Sequence, residues 1–481
     1  MFSAPSVRRK CVPMNLSLIH IVSFVLTMLI TVLPGMVAAR KIKSADDYNV
    51  GGRSAGVGLV AGSIIGTIVG GAATVGTAQL GFSLGLTAWW FTLGSGIALI
   101  IMGLFYAGPL RSSGLTTVSE FLVGNYGRAA GPFASLSASA GIFFSVVAST
   151  LTALHLVAGI FGFSLELSAA VILFFTIGMV FFGGISGAGM AGILKIALVF
   201  ATIFVGGGMA YLDLGQWQGM QATFSDGPWF SLFGAGIEDG LFSLGSMLVG
   251  VISTQTYVQA IFSAKDSKTA AKGCIAAALI VIPIGLPSVL IGMFMHVAHP
   301  EITSIEALPL YMILYLPDWL GGIGIATILL SALSSIAGLS LGVGTMISRD
   351  LVKNVWKSAT SVNLLWATRF SVVLVVIGAI AFVFAHLDSS VLEWNYLSMA
   401  LRGSGIFLPL TFAVFFPDKV RGNYGVFAIA AGVFVGCLWE EMGISDMNSL
   451  FPALIINLCF LVPGFLLGKR SEALDEEEEE D

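Results

Sequence analysis

Thirteen mostly apolar runs succeed one another along the chain, each near the roughly 20 residues that cross a bilayer. Counted from zero they cover 15–37 (span 0), 57–81 (span 1), 86–108 (span 2), 129–162 (span 3), 165–185 (span 4), 189–212 (span 5) and 237–263 (span 6). The rest are 269–297 (span 7), 319–348 (span 8), 361–385 (span 9), 395–416 (span 10), 422–441 (span 11) and 447–468 (span 12). The pattern predicts an all-α integral membrane protein with about 13 transmembrane helices. Spans 3 and 8 exceed the necessary length and are expected to tilt or to extend past the lipid.

Two amphipathic pieces lie between spans. Residues 116–126 (TTVSEFLVGNY) set Thr117 and Glu120 at capping-box spacing, a signal for a short interfacial helix, with a plain connector as the default reading. Residues 303–317 are expected to form an external hairpin or lid before span 8, or again a connector.

Within the spans, polarity and glycine concentrate at three places. Span 1 holds IIGTIVGGAATVG at 64–76, with four glycines and two threonines in thirteen residues. Span 6 holds Gly250-Val251-Ile252-Ser253-Thr254-Gln255-Thr256-Tyr257-Val258-Gln259. Glycine is a poor helix former, and irregular backbone at lipid depth survives only where it faces protein or a wet cavity. The two stretches lie five spans apart, as they do in carriers whose repeats each begin with a broken helix. The alternative for span 1 is close helix packing through Gly66 and Gly70, a GxxxG pair. Packing does not account for Thr67, Gly71, Thr74 and Gly76, which lie around the helix. Span 8 carries Ser331, Ser334, Ser335 and Ser340. Adjacent hydroxyls can supply oxygen ligands to a small cation, or simply bond their own helix carbonyls.

Composition agrees with a membrane protein: 56% of the 481 residues are hydrophobic and 10% are charged, against about 25% charged in soluble domains. Residues 475–481 (DEEEEED) alone exceed the net charge of −5, so 469–481 reads as a solvated acidic tail. The four cysteines show neither CxxC spacing nor clustering with histidine, which points to no disulfide framework and no metal centre. Residues 1–14 read as an N-terminal extension, Met14 as an alternative start, and 15–468 as a single transmembrane domain.

Charge sets the expected orientation. With the connector after span 0 in the cytoplasm, the cytoplasmic segments hold seventeen of the 22 lysines and arginines. The external connectors hold none, and carry Asp213, Asp226, Glu301, Glu306, Asp388, Glu440 and Asp446 instead. The positive-inside rule then predicts a multi-pass protein of the plasma (inner) membrane, N-terminus outside and C-terminus cytoplasmic.

Several stretches in fixed order resemble the sodium:solute symporter family: Asp46-Asp47-Tyr48, Gly51-Gly52-Arg53-Ser54, the glycine-rich span 1, Thr117-x-x-Glu120 with Asn125-Tyr126-Gly127, and Ser334-Ser335 followed by Ser348-Arg349-Asp350. The resemblance covers about 45–355, and GTAQLGFSLGL with GLFYAGPLRSSG is most similar to the choline-transporter-like branch. It implies a LeuT-like five-plus-five inverted repeat with its core at about 57–416. It also implies sodium as coupling ion, held by the carbonyls of Gly66 and Val69 and the hydroxyls of Ser334 and Ser335. Ile68, Phe143, Thr254, Gln255, Tyr257 and Arg402 become candidate cavity residues; residues like Phe143 and its neighbour Phe144 are more often core than cavity. The choline branch has tryptophans at the positions of Ile68 and Thr254, forming an aromatic cage for a quaternary ammonium. Neither is aromatic here, so that cargo is not implied. Many relatives also carry an Asp and a Gln in span 5 after a glycine pair. Here Gly183-Gly184 is followed by Gly192 and Lys195 at those positions.

Lys195 and Arg402 are the two lysine or arginine residues inside spans that the cytoplasmic seventeen do not include. A charge at such depth costs at least about 2.5–3.5 kcal/mol and is a functional candidate by default. Lys195 either snorkels to the interface or competes with sodium, which would make transport proton-coupled or sodium-independent. Arg402 either meets a substrate carboxylate or a gate, or pairs structurally with an acid such as Glu393. His155 reads as a satisfied interior histidine. The resulting expectation is sodium-coupled symport of a small polar organic solute by alternating access. The partners are the solute, sodium and the lipid bilayer, with no cofactor and no nucleic acid; the oligomeric state stays open. A transporter-like sensor is the rival from another class, and no nucleophile–base set or phosphate loop suggests an enzyme.

Overall fold

A computed structural model describes residues 16–39, 49–224, 227–439 and 448–468, without the side chains of 32–39, 180–189, 191 and 354. The extension before span 0, Asp46-Asp47-Tyr48, Asp226, Glu440, Asp446 and the acidic tail lie outside the described residues.

Each of the thirteen runs corresponds to helix. Eight described helices have the length and hydropathy to cross a membrane, and a ninth does so as a bent pair, Ile237–Ile252 with Gln255–Ser263. The other runs are filled by shorter apolar helices, among them Val57–Ile68, Leu165–Met179 and Gly422–Leu438. One boundary differs from expectation. Spans 4 and 5 share the helix Leu165–Val199, in place of a short connector between them.

Two spans are discontinuous, and they are the expected ones. Span 1 runs as helix over Val57–Ile68 and stops at Val69 (φ −79, ψ 67). After the turn it resumes as a π-helical turn, Ala72–Gly76, then as α-helix Thr77–Leu84. Span 6 breaks at Ser253 and Thr254 and bends by 43°. The glycines at the first break are also packing residues. A Cβ on Gly70 would lie 2.3 Å from Ser335 Oγ, and one on Gly71 2.4 Å from Thr152 Oγ1. Packing and breaking therefore act together in this stretch.

Span 8 is the central helix, with 94% of its apolar window buried. Span 3 packs along spans 8 and 10, and the first half of span 1 lies along spans 5 and 7. The connector helix Val118–Tyr126 opens with the predicted capping box: Glu120 N–H donates to Thr117 Oγ1 at 3.0 Å and Thr117 N–H to Glu120 Oε2 at 3.2 Å. Thr117 Oγ1 also donates to Asp350 Oδ1 at 2.9 Å, joining two motifs far apart in sequence. The segment before span 8 forms the buried helix Ala307–Leu314, packed against spans 7, 8 and 1.

At the lysine- and arginine-rich end, the outer tips of the two discontinuous spans meet. Ala55 and Ala264 form a lone parallel β-bridge. Ala55 N–H donates to Ser263 O and Lys265 N–H to Ala55 O, both at 3.0 Å. Arg111 covers the bridge by donating to the carbonyls of Ala264 and Lys265.

Candidate functional site

Where span 1 stops, its last helical carbonyls lose the N–H donors that a continuing helix would supply. Span 8 turns hydroxyls toward them. Ser334 Oγ donates to Gly66 O at 3.2 Å and to Ser331 O at 3.2 Å, while Ser335 Oγ donates to Thr67 O at 2.7 Å and approaches Gly66 O at 3.5 Å. Gly66, Ser334 and Ser335 thus come together as expected. Val69 is buried beside them, but the second carbonyl facing a span 8 hydroxyl belongs to Thr67. The carbonyls of Thr67 and Ser331 are not among the ligands expected from the sequence, because which carbonyls a break frees depends on where the turn falls.

A charged group joins this cluster. Lys195 is wholly buried, and its Nζ donates to Ser334 Oγ at 2.6 Å, Gly66 O at 2.9 Å and Ser331 O at 3.3 Å. It does not snorkel. The reason lies three residues earlier, on the same helix face. A Cβ on Gly192 would lie 1.9 Å from Gly62 O and 3.1 Å from Gly66 N. Only glycine allows span 5 to approach span 1 so closely, and that approach delivers the lysine to the carbonyls.

The second break holds the other cation. Arg402 is fully buried, and its Nη1 donates to Thr254 Oγ1 at 2.6 Å, its Nη2 to Ser145 Oγ at 2.6 Å and to Ser398 Oγ, and its Nε to Ser398 O at 3.1 Å. Every one of these acceptors is neutral. The pairing with Glu393 does not form: Glu393 is exposed, and no described carboxylate lies in ion-pair range of Arg402. Ser145 and Ser398 went unnoticed in the sequence. The hydroxyl stripe of span 3, with Ser145, Ser149 and Thr152 at three- to four-residue spacing and Ser137 two turns earlier, was the available signal.

The remaining cavity candidates divide. Ile68, Thr254 and Tyr257 are buried at the two breaks. Gln255 points elsewhere: its Oε1 accepts from Val118 N–H at 2.8 Å and its Nε2 donates to Thr116 O at 3.1 Å, anchoring the connector before span 3. Phe143 belongs to an aromatic cluster with Phe144 and Phe382, to which Trp394 adds a ring stacked on Phe144. His155 is satisfied by Leu151 O at 3.1 Å.

Comparison with known proteins gives the geometry its context. The chain is 24% identical over 396 residues to the high-affinity choline transporter 1 of Drosophila melanogaster, a match that covers 76% of this chain and 62% of the fly protein. It is 25% identical over 488 residues to the sodium/proline symporter of Salmonella typhimurium, covering 96% of each. Among solved structures, a Na+-coupled sialic acid symporter in a substrate-bound outward-open state superposes with a TM-score of 0.78 at 18% identity, over 94% of this chain and 97% of that one. That likeness establishes the LeuT-like fold. The family model matches residues 48–428, a segment that includes both broken spans and both buried cations, and the chain therefore belongs to the sodium:solute symporter family.

Proposed function

We propose that the chain imports a small polar organic solute by alternating access, using sodium as coupling ion, with spans 1, 2, 6 and 7 rocking against the other core helices. The family is one of secondary transporters, not enzymes. The observation that carries the reading is the first break, where the oxygens of Gly66, Thr67, Ser334 and Ser335 converge across two spans. Hard cations take such oxygens as ligands, and discontinuous helices at mid-membrane are where carriers bind ions and substrate. The distribution of lysine and arginine supports a plasma (inner) membrane topology with the N-terminus outside and the C-terminus in the cytoplasm.

A specific contact favours a second reading. The ammonium of Lys195 lies on Gly66 O and Ser334 Oγ, the groups a sodium ion would use. Two unit charges about 4 Å apart repel by about 4 kcal/mol even at an effective dielectric of 20, so one cation excludes the other. With lysine resident, coupling passes to the proton it carries, or is absent at this site.

Uptake into proteoliposomes separates the two. Radiolabelled proline and choline, the solutes named for the two relatives, are offered with and without a sodium gradient to wild type and to Lys195→Gln. Sodium-driven uptake by the wild type supports the first reading. Uptake that ignores sodium in the wild type, and becomes sodium-dependent in the variant, supports the second and defeats the first.

A further inference from the structure

Each break joins the end of one helix to the start of another, and a buried cation stands at each. At the first, a helix ends and presents carbonyls, the negative end of its dipole, and the chain supplies its own cation in Lys195. At the second, the helix Ile237–Ile252 ends and the helix Gln255–Ser263 begins, and Thr254 Oγ1 donates to Gly250 O, a carbonyl of the ending helix, at 2.6 Å. There the chain supplies another positive group and no negative one.

We propose that Arg402 and the start of Gln255–Ser263 together bind a carboxylate of the transported solute. This assignment rests on the transport reading above and names the cargo's chemical class. Arg402 heads the largest fully buried side chains of the described protein, and its four hydrogen bonds all go to neutral oxygens. Its Nη1 keeps one N–H without a described acceptor. The helix start beside it is uncapped. Thr254 makes no capping bond, because its hydroxyl donates back to Gly250 O at 2.6 Å and accepts from Arg402. In the first turn, Thr256 Oγ1 is buried without a partner.

These features share one missing component, an anion. Helix N-termini and guanidinium groups both favour negative charge, the latter bidentately and at fixed geometry. The hydroxyls of Ser145, Ser398 and Thr254 accept from Arg402 now, and by rotating can donate to an arriving carboxylate. A cationic cargo would instead meet like charge from the guanidinium. A neutral amide offers the site no charge to neutralise.

The test compares acids with their amides on the purified full chain in detergent. L-proline, L-lactate and pyruvate, their amides, and tetramethylammonium are titrated in a thermal-shift binding assay with wild type, Arg402→Lys and Arg402→Gln. At least one acid is expected to bind wild type on the order of 30-fold or more tightly than its amide, since truncating one side of a buried charge pair costs at least that factor. The preference should shrink in Arg402→Lys and vanish in Arg402→Gln. The acid–amide comparison on wild type needs no variant to fold. Equal binding of acid and amide, tighter binding of tetramethylammonium, or no binding of any acid overturns the proposal. Uptake of a carboxylate-free solute by wild type and Arg402→Gln alike overturns it and leaves the transport reading standing. Arginine-dependent acid binding with no uptake into proteoliposomes does the reverse.

Discussion

Replacing Lys195 by methionine removes an ammonium from the first break while keeping an unbranched apolar stem of similar reach. Ser334 Oγ already donates to Gly66 O at 3.2 Å, so the carbonyl keeps a hydrogen bond in the variant. The larger effect is on sodium. In the wild type, sodium must displace a wholly buried ammonium from three oxygens. The displaced charge then stands in the membrane interior without those partners, at a cost of at least about 2.5–3.5 kcal/mol. At 1.4 kcal/mol per tenfold, that cost weakens sodium binding by roughly 60- to 300-fold relative to Lys195→Met. Direct binding of radioactive sodium to the purified proteins measures both constants without knowledge of the cargo. Dissociation constants within about threefold of each other would refute the competition argument, as would tighter binding by the wild type.

Other substitutions test the surrounding structure. Ser334→Ala with Ser335→Ala in the Lys195→Met background should abolish sodium binding, read by the same assay, because two of the converging oxygens are removed. Gly192→Ala should lower stability by about 1–3 kcal/mol through overpacking, seen as a fall in Tm, since its Cβ would sit 1.9 Å from the Gly62 carbonyl oxygen. Thr117→Ala should cost about 1 kcal/mol or more, again by Tm, because this hydroxyl both caps its helix and donates to Asp350. Asp266, at the entrance to span 7, accepts from Thr269 N–H at 2.7 Å, a bond that holds its carboxyl below the usual carboxylate range. Its folded-state pKa is depressed, so the stabilisation is complete above the unfolded value and is lost as pH falls through the folded one. A Tm scan into acid should show that loss in wild type and a weaker one in Asp266→Ala.

Much of this fold was readable because lipid restricts backbone geometry so strongly. Apolar length marked the spans, and the glycine and threonine of 64–76 marked a helix that could not stay continuous. The capping box was legible because it is local, set by Thr117 and Glu120 alone. Side-chain direction was not. Gln255 sits one residue from the second break yet turns toward Thr116 and Val118, and Phe143 turns into a ring cluster. Neither outcome is encoded in spacing. Lys195 shows the limit most clearly. Whether it reaches the interface or the carbonyls depends on how closely span 5 meets span 1. That distance is set by Gly192 against Gly62, a tertiary contact whose sequence trace is one glycine among many.

The β-bridge at the basic end has a mechanical meaning. Two backbone hydrogen bonds, worth about 0.5–1.5 kcal/mol each, tie the tips of both discontinuous helices at Ala55 and Ala264. That latch fastens two helices of the one bundle proposed to rock together, so it travels with the bundle and holds the tips of its broken helices in register. Because the latch is made of main chain, substitutions that retune recognition at the breaks leave its strength untouched. Side chains at the breaks can therefore be exchanged for a new cargo while the two broken helices stay fastened to each other.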